Sequence, residues 1–577
     1  MKKLYLISFL SVLAGLSNTA NSQSLSWAKH MRGYGITRSM AVDASGNVYT
    51  IGQYSFTVDF DPGIGTYNLT GSGTVSLFVS KLDASGNFLW AKSIGGSGGV
   101  TGWSMTIDGF SNIYITGTFN DTVDFDPGSG IYNLIGVSNS SDIFVCKLDE
   151  SGNFKWAKQM DGQRPDFGRG IGVDVNGNVY TTGIFEGTCD FDPGVGTYNL
   201  LALGSSGSQD TYVSKLDSAG NFVWAKQIGG TGGSDFVNFL ALDSNANIFL
   251  TGFFEATADF DPGPGVYNLT SAGDFDIFVC KLDSSGNLIW AKRMGGAYWD
   301  LGNSLTIDHS GNIITTGRFL GMGDFDPGAG TYNLFALGGQ NYPNIFVSKL
   351  DPSGNFIWAK QFEGSTNGIG YAIAHDEIGN VFTSGYFTGT YDFDPGIGTN
   401  NLTSDGGADI FVSKLDSSGN FISAVKLGGP KDDECFAMVA DADGYLYASG
   451  YFKDTADFDP GPGTNYLTAG YQDIYVVKLA DVLTKITENI SSISSVNIYP
   501  NPFSNSTTIS FSLSHAGKVS IIIFDITGRS VATAANAFFK DESSEVNWDA
   551  SALNSGIYFL QMNSGNYSIT KKISVIH

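Results

Sequence analysis

The chain has 577 residues and a formal net charge of −25, with 42% hydrophobic, 13% aromatic and only 15% charged residues. That charge excludes a nucleic-acid backbone and a bare anionic membrane surface as partners, and the apolar content excludes a disordered chain. The 76 glycines and the abundant aromatics suit many short strands joined by tight turns, not a helical protein.

In chain order, Lys2 and Lys3 precede an apolar run, Leu4 to Leu16, followed by small and polar residues ending in Ala20-Asn21-Ser22. This pattern predicts a signal peptide over 1–22, leaving Gln23 first. The run is too short to span a membrane comfortably, and no other stretch approaches that length. The mature protein is expected to be exported, with no transmembrane segment after signal removal.

The pentapeptide DFDPG begins at Asp59, Asp124, Asp190, Asp259, Asp324, Asp392 and Asp457, at spacings of 65, 66, 69, 65, 68 and 65 residues. Self-similarity at a fixed period dictates a repeat architecture. One unit reads GIGVD (Gly170–Asp174), a VNGN turn, then VYTTGIF (Val179–Phe185). A link carrying DFDPGVGTYNL (Asp190–Leu200) follows, then TYVSKLD (Thr211–Asp217), a SAGN turn and FVWAKQI (Phe222–Ile228). These are four strand-like runs, two of the links being Gly/Asn turns of hairpin type. A four-strand unit repeated seven times predicts an all-β, seven-bladed β-propeller over 23–479. The N-terminal LSWAK (Leu25–Lys29) is a fourth strand without its first three. The array ends at DIYVVKL (Asp473–Leu479), a third strand without its fourth. The two are expected to pair and complete one blade, which removes the free sheet edges. Cys146 and Cys280 hold a position that serine fills elsewhere; with Cys189 and Cys435 they read as small core or edge residues, not a disulfide framework, and no CxxC pair is present to bind zinc.

Strings such as DIFVSKLDSSGNF (Asp409–Phe421) and GVDVNGNVYTTG (Gly172–Gly183) resemble the SBBP bacterial β-propeller repeat family, over roughly Trp27 to Leu479. The resemblance implies a propeller and export, and no particular ligand. The DFDPG insertion and the long third link depart from the shorter family repeat.

With strands ordered from the axis outward, the DFDPG links and the links after WAK share one face of the disc. Asp, Pro and Gly together favour a turn in which carboxylates accept backbone N–H bonds, and the intervening Phe would plug the gap between blades. The functional alternative is calcium at the Asp-Phe-Asp-Pro-Gly segments, since paired carboxylates suit a hard cation, although the full D-x-D-x-D-G loop is missing. The links after WAK vary, and variable loops over a rigid scaffold suit a binding surface. Trp103, Arg164, Asp166, Arg169, Tyr298, Trp299 and Asp300 on these links are the candidate ligand-binding residues; the alternative is that Trp103 and Trp299 cover gaps between blades. The in-register tryptophans Trp27, Trp90, Trp156, Trp224, Trp290 and Trp358, with Ser423 in the seventh place, read as packing.

Five scattered histidines (His30, His309, His375, His515, His577) and the lack of H-E-x-x-H, G-x-S-x-G and P-loop patterns assign no catalytic residue. Binding or adhesion toward an extracellular glycan or surface protein is the favoured function. The alternative is an extracellular polysaccharide-acting enzyme, a hydrolase or lyase, with its site on the same face.

A polar linker at 480–494 leads to a segment of different composition. From Ser494 onward five basic and five acidic residues balance, so the acidic excess lies upstream. Alternating short runs over 495–577 predict a small antiparallel β-sandwich. Its motifs are YPNP (Tyr499, Pro500, Asn501, Pro502), DITGR (Asp525 to Gly528 and Arg529), LNSGIYF (with Gly556 and Tyr558) and Lys571–Lys572. Together they resemble the type A C-terminal sorting domain of the type IX secretion system of Bacteroidetes-type bacteria. This implies export through the type IX machinery to the medium or the outer-membrane surface.

Overall fold

The computed structural model describes residues 23–136, 140–204, 207–481, 493–513, 517–526, 529–539, 542–564 and 567–577. The expected signal peptide at 1–22, most of the expected linker at 480–494 and Gly528 lie outside them. All regular structure among the described residues is β-strand. Contacts separate two compact units, one ending at Asp481 and one comprising the C-terminal strands.

In the first unit the repeat builds four antiparallel strands. In the first copy they are Gly35–Val42, Val48–Tyr54, Ser76–Leu82 and Phe88–Gly96, hydrogen-bonded in that order. Tight turns set the register. Asp43 Oδ1 accepts the N–H groups of Ser45 and Asn47, both at 2.9 Å, and Asn47 Nδ2 donates to Asp43 Oδ2 at 2.8 Å. Gly46 takes the positive φ of +77° that the turn demands. The third strand is buried at every position, because it has strands on both sides and neighbouring sheets on both faces.

Six sheets have this order. The seventh joins Glu434–Ala440, Tyr445–Phe452 and Asp473–Asp481 to Gln23–Met31. The N-terminal strand lies antiparallel to Asp473–Asp481, with Leu25 opposite Leu479 and Lys29 opposite Val476. The core is divided among seven clusters, each drawing side chains from two adjacent sheets. One holds Met31, Tyr447 and Ile474 of the seventh sheet with Tyr54, Phe60 and Phe78 of the first. Each inner strand lies beside the inner strand of the next copy, and Glu434–Ala440 lies beside Gly35–Val42. All four cysteines are free and buried.

The DFDPG link is not a plain loop. It contains a short hairpin, Thr57–Asp59 against Asn68–Thr70 in the first copy. Three-residue strands are too short to leave an alternating pattern in sequence, so they escape a reading of periodicity. Each hairpin docks on the outer strand of the preceding sheet through the first Asp of its pentapeptide. Asp124 pairs with Gly95, Asp190 with Asp161, Asp324 with Gly295 and Asp392 with Glu363. Single bridges link Asp59 to Arg32, Asp259 to Gly229 and Asp457 to Gly428.

The C-terminal unit has two sheets, one of Ile493–Tyr499, Ser506–Leu513 and Glu542–Asp549, the other of Ser530–Phe539, Gly517–Phe524, Gly556–Ser564 and Tyr567–Val575. They share a core that includes Ile509, Phe511, Ile521, Ile523, Trp548, Leu560 and Ile573. The motif residues tie its ends. Asn501 Nδ2 donates to the Lys572 carbonyl and its Oδ1 accepts Ser574 N–H, at 3.0 and 2.9 Å. Asp525 accepts both the N–H and the Nε–H of Arg529. Tyr558 donates to the Asn554 carbonyl. Tyr499, Lys571 and Lys572 are exposed.

Candidate functional site

The seven DFDPG segments repeat one geometry. Oδ1 of the first Asp accepts the N–H of the second Asp and, at 2.7–2.8 Å, the N–H of the residue eight positions on. Asp59 does so from Asp61 and Tyr67, and Asp457 from Asp459 and Asn465. Oδ1 of the second Asp accepts the Gly N–H at 2.8 Å, as Asp61 does from Gly63. The central Phe is fully buried in all seven copies. Phe191 packs against Phe185 and Tyr212 with ring centroids 5.4 and 4.8 Å away. These carboxylates therefore organise the turn. Among the described residues no three His, Cys, Asp or Glu side chains converge as a metal set, so calcium at a DFDPG segment would have to complete its shell from backbone oxygens and water.

A cavity of about 710 Å³ is lined by all seven inner strands. Each of these strands carries a β-bulge near its start, and a bulge re-aims one side chain. The register breaks fall between Thr37 and Ser39, Gly102 and Ser104, and Gly168 and Gly170, and at the matching places in the other four. The bulged residues are Arg38, Trp103 and Arg169, then Asn238, Asn303, Tyr371 and Phe436, and every one lines the cavity. Opposite each bulge the second strand has a glycine. At Gly52, Gly183 and Gly450 an added Cβ would collide with the carbonyl oxygen of Ile36, Phe167 and Glu434 respectively. This Gly, preceded by Thr or Ser in six copies and by Ile51 in the first, was thus the sequence signal for the bulge.

The ring is chemically uneven. The Arg38 guanidinium lies 4.7 Å and that of Arg169 4.2 Å from the centre of the Trp103 ring. Arg38 also lies 5.0 Å from the Phe436 ring, which packs on Tyr371 at 4.9 Å. Asn238 and Asn303 each donate Nδ2–H to a carbonyl of the next inner strand, Gly302 and Gly370, at 2.9 Å. Burial, and then the like charge of Arg38, lowers the Arg169 pKa to about 10. Burial lowers Arg38 too, against Tyr371 and Glu434, which favour its charge. Burial raises the Glu434 carboxyl, which accepts a 2.7 Å bond from Tyr451.

Of the seven sequence candidates, Trp103 and Arg169 line this cavity. Arg164 is held in an ion pair with Glu186 at 2.6 Å. Asp166 and Asp300 are fully buried; Asp166 accepts Glu186 N–H, and Asp300 accepts the N–H groups of Gly296 and Leu320. Trp299 is half exposed and edges against Phe275 at 5.5 Å, and Tyr298 lies against Gly321. Arg38 was missed because it stands in the first repeat copy, on Gly35–Val42, ahead of the links that supplied the candidates. Trp27, Trp290 and Trp358 each donate Nε1–H to a backbone carbonyl of the following copy, at 3.1–3.2 Å.

Residues 497–576 match the family described as secretion system C-terminal sorting domain, and residues 223–252 match the β-propeller repeat family. The chain is thus an all-β protein with propeller-type repeats and a type IX sorting domain, which engages the type IX secretion machinery. It is exported, either secreted or attached to the cell surface. No helix of the described residues is long and apolar enough to cross a membrane. The chain is 25% identical to an uncharacterized WD repeat-containing protein of Acanthamoeba polyphaga mimivirus over 489 residues, 71% of this chain and 35% of that one. It is 26% identical to the regulatory protein FlaEY of Caulobacter vibrioides over 184 residues, 32% of this chain and 18% of that one. It thus spans about a third or less of these relatives' length. A structure of dimeric latent PorU from Porphyromonas gingivalis aligns at 12% identity over 69% of this chain and 34% of that one, with a TM-score of 0.14, a value that carries no weight for the fold.

Proposed function

We propose that the seven sheets are the blades of a closed seven-bladed propeller, exported by its sorting domain to act as an extracellular binding module. Its ligand, a glycan in the first instance, enters the axial cavity from the face that bears the variable links. The observation that carries this reading is the ring of bulged side chains: seven equivalent positions, of five different residue types, all line one cavity. A scaffold position in a repeat tolerates one solution seven times, whereas a site on a rigid frame needs unlike groups. Aromatic and Arg side chains are also the usual anchors of recognition. The test is a glycan-array screen of the purified protein and of its Trp103→Ala and Trp299→Ala variants. Binding weakened in Trp103→Ala supports an axial site. Binding weakened only in Trp299→Ala moves the site to the outer loops, and binding unchanged in both removes the reading.

A further inference from the structure

Among the described residues two arginines on the axis touch aromatic rings but no hydrogen-bond acceptor or carboxylate. Neither Arg38 nor Arg169 makes an ion pair or donates a hydrogen bond among the described residues, and Nε of each is buried and unsatisfied, as is Trp103 Nε1. Both residues are half-buried, and a cation drawn even partly out of water is costly unless it is paired. Here two cations of the same sign sit in one cavity, both against Trp103. The nearest help is Glu434, which acts on Arg38 from a distance while bonded to Tyr451.

The chain has 56 acidic residues to 31 basic ones, so its arginines have no shortage of carboxylates. Arg32, Arg164, Arg293 and Arg529 are paired with carboxylates, and of the other three Arg318 stands outside the cavity lining. The two on the axis lie instead over aromatic rings, and their N–H groups donate no hydrogen bond among the described residues. A guanidinium fork matches two oxygens of a carboxylate, sulfate or phosphate group. Around the rest of the ring stand two aromatic faces, Tyr371 and Phe436, and two amides. Asn238 and Asn303 each commit one N–H to a neighbouring strand and keep an Oδ1 and a second N–H for other partners. Aromatic faces for C–H surfaces, amides for hydroxyls and a fork for an oxyanion are the complement of a charged sugar.

We infer that Arg38, Trp103 and Arg169 form an oxyanion site on the axis that takes the carboxylate or sulfate of an acidic saccharide. This rests on the reading of the axial cavity as the binding site and adds the class of ligand to it. The two arginines provide the charge contact, Trp103 positions them, and Tyr371 and Phe436 flank the sugar ring.

The test is calorimetric titration of the purified protein with oligogalacturonate, a sulfated galactan, a neutral galactan, poly-glutamate and sodium sulfate, at low and at high salt. Preference for either acidic saccharide over the neutral one by tenfold or more, weakening with salt, is expected, and which of the two wins identifies the oxyanion. Arg169→Ala and Arg38→Ala should each cost tenfold or more, and the double variant should abolish binding. Arg169→Lys should recover only part, since charge remains and the fork is lost. Sodium sulfate should compete with the saccharide. Thermal melts of every variant should overlay the parent, which separates lost binding from lost fold. Equal binding of neutral and acidic galactan, or full binding by the double arginine variant, overturns the oxyanion site and leaves the axial glycan reading intact if Trp103→Ala still weakens binding. Poly-glutamate binding more tightly than either saccharide overturns the choice of a sugar. No binding by any saccharide removes both readings.

Discussion

Two sets of seven equivalent positions behave in opposite ways. In the DFDPG hairpins each copy has the same carboxylate bonds, the same buried Phe and the same docking onto the preceding sheet. In the inner-strand bulges the backbone device is equally constant, yet the side chain it presents changes from arginine to tryptophan, asparagine, tyrosine and phenylalanine. Within one chain, uniformity marks the parts that hold neighbouring sheets together, and divergence on a uniform backbone marks the part proposed to meet a ligand.

The largest effect that would break this contrast is removal of Gln23–Met31. It strips a strand from Asp473–Asp481 and exposes an unpaired, apolar edge. The first unit should lose its cooperative thermal transition and aggregate, as size-exclusion chromatography with light scattering would detect; a monomeric, cooperatively melting variant would show that the strand is dispensable. Next in size is Phe191→Ala. A fully buried Phe in a two-sheet cluster should cost about 3–5 kcal/mol, measured by denaturant unfolding, whereas Arg169→Ala should change stability by under about 0.5 kcal/mol.

Asp190→Ala is smaller. It removes the acceptor of two backbone N–H bonds and should cost about 1–3 kcal/mol. The last effect concerns pH. Burial raises the carboxyls of Asp166 and Asp300 to about 8. Their contribution to stability is complete below the ordinary carboxylate pKa and is lost as pH rises through about 8. In the turn carboxylates, such as Asp43, burial opposes ionisation but the Asn47 and Ser45 hydrogen bonds and Lys81 outweigh it, so the pKa falls. Their contribution is present above the ordinary value and is lost in acid. Melting temperature should therefore peak in mildly acidic buffer and decline toward pH 9, and Asp166→Asn should flatten the alkaline side only.

Much of the frame was readable before any coordinates. The DFDPG spacing located the repeats, and the stray WAK run at Leu25–Lys29 pointed to the third strand at Asp473 because it is a lone fourth strand and the last unit lacks its fourth. The sorting motifs were readable because they combine turn-forming residues in a set order, YPNP to DITGR to the final lysine pair. The hairpin at Thr57–Thr70 was not readable, since its strands are three residues long and bond to a different copy. The set of bulged residues was only half visible. Trp103 and Arg169 drew notice as unusual loop residues, but a bulge interrupts alternation, so the shared register of Arg38, Asn238 and Phe436 with them was hidden. The signal lay one strand away, in the glycine that lets each bulge approach.

The pairing of Leu25 with Leu479 also bears on quality control during synthesis. The partner of the first strand is made more than four hundred residues later, as the 443-residue separation of His30 and its bonded Asp473 illustrates. The first strand must therefore wait for almost the whole propeller-type unit to be translated before it can pair. The export address at 497–576 comes later still. Any ribosome product that bears the address also bears the strand that completes the seventh sheet, so an interrupted message yields no exportable fragment with an open edge.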